Sequence, residues 1–486
     1  MKKLIIPLLI ATSLYALDNR APSSNPPNNL SANQVPMFVS IGFDDNSHAG
    51  FTYPGVEGQS IHWIRTFSKD LKNHEGTGNS ATFDGEPVRF SFFQNTCYMA
   101  DLASDYPQQL KVALNMAYLE GHEIGNHTHS HITSKAGPSY SVSQWESEME
   151  ECNGWLEKSA PPTSDSSSIS KDENTGAGVP SNKITGFRTP FLYFNDNMFS
   201  ALSNLDFEYD CSIEDGYQDT IDGTNFLWPY TLDNGSPGWD YIIDEEIVSE
   251  KMENVTIGKH PGLWELPMYP VVVPPDSICD DYGIPSGLRQ KMKNLHPDFD
   301  TDLGKITGLD YNMWYEYRLN KDEFLAILKY NFDLRYNGNR APMLYGAHSQ
   351  YYNALWNGGF SADVNQRMAA IEEFIAYVLT KEDVRVVPYN SILEWCKNPV
   401  PLRESSPVIA TKAITKNVNI SASKQDIKID GLLSGSYKIF TTRGQILNQG
   451  EFKNGVIDTP KNISNGVYRL SLTSKGFHTT KSFTIK

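Results

Sequence analysis

Apolar and polar positions along this chain follow two textures, and the change between them falls near Arg403. Before it, short apolar runs alternate with longer segments of helical period. The runs Met37 to Phe43, Val88 to Phe93, His122 to Gly125, Ile184 to Phe187, Phe207 to Cys211, Leu263 to Val273, Pro342 to Ala347 and Val384 to Val387 predict strands. Gln108 to Glu120, closed by Gly121, predicts a helix, as do Trp145 to Leu156, Asp322 to Leu334 and Val364 to Leu379. Strands alternating with helices imply a mainly parallel sheet. About eight such units predict an α/β fold, a distorted or incomplete (β/α) barrel over residues 37–403. Pro274 to Asn320 keeps neither period and predicts an excursion beside the barrel mouth. Past Arg403 only short alternating runs remain, such as Tyr437 to Phe440 and Val467 to Leu472, which predict a small all-β domain over residues 408–486.

The N-terminus reads as a charged start, Lys2-Lys3, an apolar run from Leu4 to Ile10, and a small-residue end at Ala16. That is the pattern of a secretory signal peptide over residues 1–16, too short to span a bilayer. A Pro/Asn/Ser-rich stretch over residues 17–36 reads as a linker. No other segment approaches membrane-spanning length, so a secreted protein, extracellular or at the cell surface, is expected. In such a protein disulfides are expected among the five cysteines, with one thiol left over. No Cys-x-x-Cys pair is present, which argues against a thiolate zinc site. The net charge of −17 argues against nucleic acid and acidic polymers as partners and suits a neutral glycan.

Four clusters carry candidate chemistry. Asp44-Asp45 follows the first strand. Adjacent carboxylates repel unless a cation lies near, and strand alternation points them apart, so that one could bind a metal and the other accept a proton; on this pair alone a helix cap or solvated turn is the favoured reading. Four of the eleven histidines fall between His122 and His131. His127 and His131, four apart, could converge on one ion with a carboxylate, leaving an open fourth position. Arg188-Thr189-Pro190-Phe191 follows another strand end, where an Arg could orient a carboxylate and the Pro could aim the next backbone N–H at a reacting oxygen. His348 ends a late strand, the place where barrels carry catalytic groups. There is no Gly-x-Ser-x-Gly elbow and no phosphate-binding glycine loop.

In order, Phe43-Asp44-Asp45, His127-Thr128-x-x-His131, Arg188-x-Pro190-Phe191 and His348 resemble the motif series of the NodB-type polysaccharide deacetylases, carbohydrate esterase family 4. Connecting stretches such as Phe207 to Ile213, Leu227 to Asp233, Gly262 to Pro267 and Ile392 to Trp395 are similar to chitin deacetylases. The resemblance implies a distorted barrel and metal-dependent hydrolysis of the amide of N-acetylglucosamine units in chitin or its oligosaccharides, releasing acetate. It implies Asp44 as general base, and Asp45, His127 and His131 as ligands of a divalent metal, usually zinc. Arg188 would orient Asp44, the Phe191 N–H would help bind the oxyanion, and His348 would be the general acid. Gly42 stands where Thr is frequent, and an insertion over residues 77–84 is expected to alter the mouth. Asp210 and Asp233 both compete for the aspartate that tunes the acid histidine.

Residues 408–486 resemble the sorting domains of type IX secretion, through Ser464 to Tyr468 and the closing Lys481 to Lys486, which implies secretion machinery as a partner. All nine tryptophans lie between Trp63 and Trp395, so glycan binding by that domain has little support. Acetylated xylan and peptidoglycan stay open as substrates under the same chemistry, and so does a glycan-binding protein without catalysis.

Overall fold

Every residue of the first strand, β1 (Met37–Asp44), is buried, as a central parallel strand covered on both faces requires. Met37, Val39, Ile41 and Phe43 pack against helices, in one core with Ile61, Leu110, Phe324 and Phe374. Phe38, of opposite parity, packs in a second core with Phe93, Trp228, Trp264 and Trp395 on the concave side of the sheet. Gly42 and Asp44 share the parity of Phe38, and this places the Asp44 carboxyl on that side. These features are seen in a computed structural model that describes residues 20–51, 57–100, 106–133, 136–245, 252–356, 358–403, 418–441, 445–461, 463–474 and 477–486. The signal segment over residues 1–16 lies outside the described residues.

The sheet continues with β2 (Ser91–Gln94), β3 (Glu123–Asn126), β4 (Gly186–Phe187), β5 (Tyr209–Asp210), β6 (Tyr230–Thr231) and β7 (Trp264–Glu265). Later come β8 (Pro270–Val272), β9 (Lys305–Thr307), β10 (Met343–His348) and β11 (Val384–Val386). Nine of these form one sheet in the order β10-β1-β2-β3-β4-β5-β7-β6, with β11 also on β1. All its pairings are parallel except β6 with β7. No ladder joins β6 to β10 among the described residues. The antiparallel β8–β9 pair is a separate ladder, and the chain just after β9 reaches β10 through one bridge, Leu309 to Gly346. The expected barrel is thus a curled, unclosed sheet. The apolar run Leu263 to Val273 divides into β7 and β8, because Pro267 has no N–H to donate to a ladder.

The expected excursion over Pro274 to Asn320 holds helices Asp276–Cys279 and Leu288–Leu295, then β9 and a π-helical turn, Tyr311–Glu316. Residues 20–36, read as a linker, run bonded to the sheet: Thr231 N–H donates to the Arg20 carbonyl and Trp228 N–H to that of Ser23 (both 2.9 Å). The insertion over residues 77–84 does not border the strand ends that carry Asp44. Asp84 pairs with Arg385 on β11, whose partner in β1 is the opposite end, Met37 to Val39. None of the five cysteines is in a disulfide; four are buried, scattered through separate elements. No helix among the described residues is long and apolar enough to cross a membrane.

Chain contacts divide between Glu404 and Ser405. The second unit is an antiparallel sheet of β12 (Asn419–Ala422), β13 (Asp426–Asp430), β14 (Ser434–Thr441), β15 (Ile446–Lys453), β16 (Val456–Asp458), β17 (Gly466–Ser474) and β18 (Phe477–Ile485). Its order is β12-β13-β16-β15-β14-β17-β18, and β12 comes against β18, which makes it barrel-like. Alternate residues, among them Ile427, Ile439, Leu470, Leu472 and Ile485, fill its core.

Candidate active site

The register of the β1–β10 pair sets Asp44 directly beside His348, each the last residue of its strand. C-terminal strand ends are where parallel sheets gather functional groups, because loops there are free of the ladder. Arg188, buried completely, follows β4 and reaches across the concave side. Its Nη1 donates to Asp44 Oδ1 (2.9 Å) and its Nη2 to Tyr389 Oη (2.9 Å), while Nε donates to the Cys211 carbonyl (3.3 Å). The guanidinium lies over the Phe93 ring (4.4 Å) with Tyr389 nearby (5.2 Å). A charge this deep is tolerated because it is paired, and the pair fixes the Asp44 carboxylate. Gly42 is what leaves room for it. A Cβ there would lie 2.8 Å from Phe93 Cε2 and 3.1 Å from Arg188 Nη1, so the departure from the frequent Thr has a steric cause.

Asp45 takes the left-handed conformation (φ 51°), which ends the strand and turns its side chain away from Asp44. Its Oδ1 lies 3.1 Å from His131 Nε2 and 3.6 Å from His127 Nε2. One donor atom from each of the three residues falls within 4.8 Å of the others. Asp45 Oδ1 is buried and makes no hydrogen bond, an unsatisfied acceptor facing two imidazoles. His127 Nδ1 donates to the Arg188 carbonyl (2.7 Å), so its Nε2 is left with a lone pair toward the cluster. Burial works to raise the Asp45 carboxyl, but His131, His127 and His348 outweigh it and hold it well below the usual range. Burial depresses His127 and favours the neutral imidazole that a metal needs. One carboxylate and two imidazoles around an unsatisfied oxygen fit a divalent cation.

The loops are held by short-range bonds. Asn126 Oδ1 accepts from Thr128 N–H (2.8 Å), and Asn46 Nδ2 donates to the Phe43 carbonyl (2.8 Å). Thr128 and His131 have positive φ (67° and 52°), and Phe191 does too (59°). Its ring stands edge-on to His131 at 4.8 Å between centroids.

His348 Nδ1 donates to Asp310 Oδ1 (2.7 Å), and its backbone N–H donates to Asp310 Oδ2 (2.9 Å). Its Nε2 therefore faces Asp45, 4.0 Å from Oδ2. Burial lowers the imidazole, but Asp310, then Asp45 and Asp44, push it up to about 9.

A profile of the polysaccharide deacetylase family matches residues 81–209. Chitin deacetylase 8 of Bombyx mori is 25% identical over 386 residues, 79% of this chain and 77% of that protein. The chain spans about half, 54%, of chitin deacetylase 1 of the same organism at 21% identity. Among solved structures, the putative polysaccharide deacetylase of Mycobacterium smegmatis aligns over 79% of this chain and 95% of its own, with 15% identity and a TM-score of 0.38. Residues 81–209 carry the pattern of the polysaccharide deacetylase family, and the chain is distantly related to chitin deacetylases.

The seven residues singled out from the sequence lie at one end of the sheet, and Asp45, His127 and His131 form the cluster that a divalent metal fits. The other histidines of the tract do not join them. His122 is a core residue whose Nδ1 accepts from Phe90 N–H (3.1 Å), and His129 bonds Thr96 and Glu151.

The aspartate beside His348 is Asp310, neither Asp210 nor Asp233. Asp210 accepts from Ser212, and Asp233 is paired with Thr231 and the Gly262 N–H. Asp310 carries no sequence signal because it sits in the non-periodic excursion. Only the docking of that excursion on β10, where Gly346 N–H donates to the Gly308 carbonyl (2.9 Å), brings it to His348. Tyr389, one tyrosine opening a helix, gives no sequence signal for its bond to Arg188.

Proposed function

We propose that this protein removes acetyl groups from the N-acetylglucosamine units of chitin or its oligosaccharides, with Asp44 as general base and His348 as general acid. The observation that carries the mechanism is the convergence of Asp44, the Asp45–His127–His131 cluster and the Asp310-backed His348 on one point. The likeness to two proteins named chitin deacetylases supports the substrate.

Asp44, oriented by Arg188, takes the proton of the attacking water. The Phe191 backbone N–H donates to the oxyanion as the acyl carbon becomes tetrahedral. His348, with Nδ1 committed to Asp310, delivers its Nε2 proton to the leaving nitrogen. That proton matters because an amide nitrogen leaves poorly as an anion. A divalent ion held by Asp45, His127 and His131 would polarise the water and the acyl oxygen, and zinc suits that donor set with its open fourth position.

The test is acetate release by the zinc-loaded protein from chitin oligosaccharides, acetylated xylan and peptidoglycan in parallel, with Asp44→Asn and His348→Ala as controls. Release from chitin oligosaccharides, lost in both variants at undiminished metal content, is expected. Release from xylan or peptidoglycan alone would overturn the substrate, and normal rates in either variant would overturn the roles. The N-terminal pattern and the texture of residues 408–486 further support an exported protein whose C-terminal unit addresses secretion machinery. Culture-medium fractionation with and without residues 408–486 tests that reading; retention of both forms inside the cell would end it.

A further inference from the structure

Large aromatic side chains that are exposed are few among the described residues: Phe191 (56%), Tyr311 (39%), Tyr315 (39%) and Trp356 (37%). All four belong to loops around the site just described. Phe191 stands against His131. Tyr311 follows Asp310, the partner of His348, and stacks on Tyr315 (centroids 5.3 Å apart, 26° between planes). The buried ring of Tyr351 lies 4.9 Å from His348 at 31°, and Trp356 lies 5.5 Å beyond it at 32°. The two groups adjoin, since a Cβ on Gly358 would lie 3.0 Å from Tyr315 Cδ2. Scattered exposed apolar residues need no explanation, but exposed aromatic rings confined to one mouth do.

We infer that Tyr311, Tyr315 and Trp356 form a platform on the acid side of the site that binds a pyranose ring next to the acetylated unit, with Phe191 as a smaller wall on the side of the metal cluster. A pyranose presents a face of C–H bonds that packs flat on an aromatic ring, while its rim hydroxyls stay in water. Half-exposed Tyr and Trp suit such a ligand, having an apolar face and a polar edge. The occupant is fixed by continuity: Tyr351 joins the platform to His348 ring by ring, so a polymer whose acetamido nitrogen reaches His348 extends its neighbouring unit over Trp356 and Tyr315. Tyr311 Oη donates to Glu316 Oε1 (2.5 Å), which holds that ring within the π-helical turn. Phe191 and the platform flank the reacting centre, so the site favours the interior of a chain over a single sugar. This rests on the polysaccharide reading above and adds specificity-determining residues to it.

The experiment compares the metal-loaded full-length protein with Trp356→Ala, Tyr315→Ala and Trp356→Phe. Each is assayed on a small acetyl ester and on oligosaccharides of two to six units from both the chitin and the acetylated xylan series. Binding of the hexamers to Asp44→Asn and Asp44→Asn/Trp356→Ala is measured by calorimetry. Wild type is expected to gain in kcat/KM with chain length. Each alanine variant should raise KM for the longer oligomers about ten-fold, with kcat nearly unchanged. Turnover of the ester should be unchanged, Trp356→Phe should recover most of the loss, and hexamer binding should weaken in parallel. Length dependence and binding that survive in both alanine variants would overturn the platform. Turnover of the xylan series alone would overturn chitin as the substrate, and the same length comparison on xylan would still judge the platform.

Discussion

Asp310 and His348 are joined twice, Oδ1 accepting from the imidazole Nδ1 at 2.7 Å and Oδ2 from the backbone N–H of the same residue at 2.9 Å. The two hydrogen bonds that this one carboxylate accepts fix both the ring's tautomer and its position at the strand end. It also explains why His348 is held protonated despite its burial, which by itself would favour the neutral ring.

Asp310→Asn removes the main source of that stabilisation. The acid limb of the mechanism needs protonated His348, so activity falls as pH rises through its pKa. With Asp310 present that pKa lies up at about 9; without it, burial is less opposed and the descending limb of kcat/KM against pH moves to lower pH. A pH–rate profile of the variant checks this. A limb that stays in place would show that Asp310 does not tune the acid.

Arg188→Lys keeps the charge but cannot bond Asp44, Tyr389 and the Cys211 carbonyl together. Leaving buried acceptors such as the Cys211 carbonyl without their donor costs about 1–3 kcal/mol. The expected outcome is a marked fall in kcat together with a lower midpoint of urea unfolding. Unchanged kcat in a folded variant would contradict an orienting role for Arg188.

Gly42→Ala tests the steric reading of the first motif. The added methyl would meet Phe93 Cε2 at 2.8 Å and the Arg188 guanidinium at 3.1 Å, and overpacking of this kind costs about 1–3 kcal/mol. Because Arg188 must give way, kcat is expected to fall with stability. Thermal unfolding and acetate release measured on one preparation separate the two effects.

Chelation should destabilise the protein as well as silence it. Asp45, His127 and His131 bring three donor groups together at an unsatisfied buried oxygen, so a cation bound there stabilises only the folded state. Wild type is expected to lose several degrees in Tm with a chelator and to recover them with zinc. Asp45→Asn should show little response to either. An equal response in the variant would place the cation elsewhere.

His122 gives a stability prediction with a defined sign. Burial, aided by the charges of Arg89 and Arg65, lowers its pKa to about 3, far below the value of an unfolded histidine. Its neutral form is favoured in the folded state, so this contribution is complete above about pH 6.5 and is lost as pH falls toward 3. The limit is on the order of 5 kcal/mol. His122→Gln, which can still accept from Phe90 N–H, should be less stable than wild type at pH 7, and the gap should narrow by pH 4. A pH-independent gap in urea unfolding would contradict a buried neutral imidazole.

The sequence by itself determined the alternation of strands and helices, the change to β structure past Arg403, and the residues at the ends of β1, β4 and β10. Those features are local: burial on both faces makes a strand wholly apolar, and a polar residue that breaks the run marks where it ends. Asp44, Asp45, His127, His131, Arg188 and His348 were legible for that reason. Tertiary structure alone decided what meets them. Asp310 comes from a segment without periodicity, Tyr389 from a helix 201 residues beyond Arg188, and the aromatic platform from two loops with no pattern in common. Which of four neighbouring histidines join Asp45 and which merely pack was also decided there, by the positive φ of Thr128 and His131 and the lodging of His122 in the core. A strand end announces itself through the solvation of its own residues. The partner that reaches it across the fold is chosen by packing, and packing leaves no periodic trace in the chain.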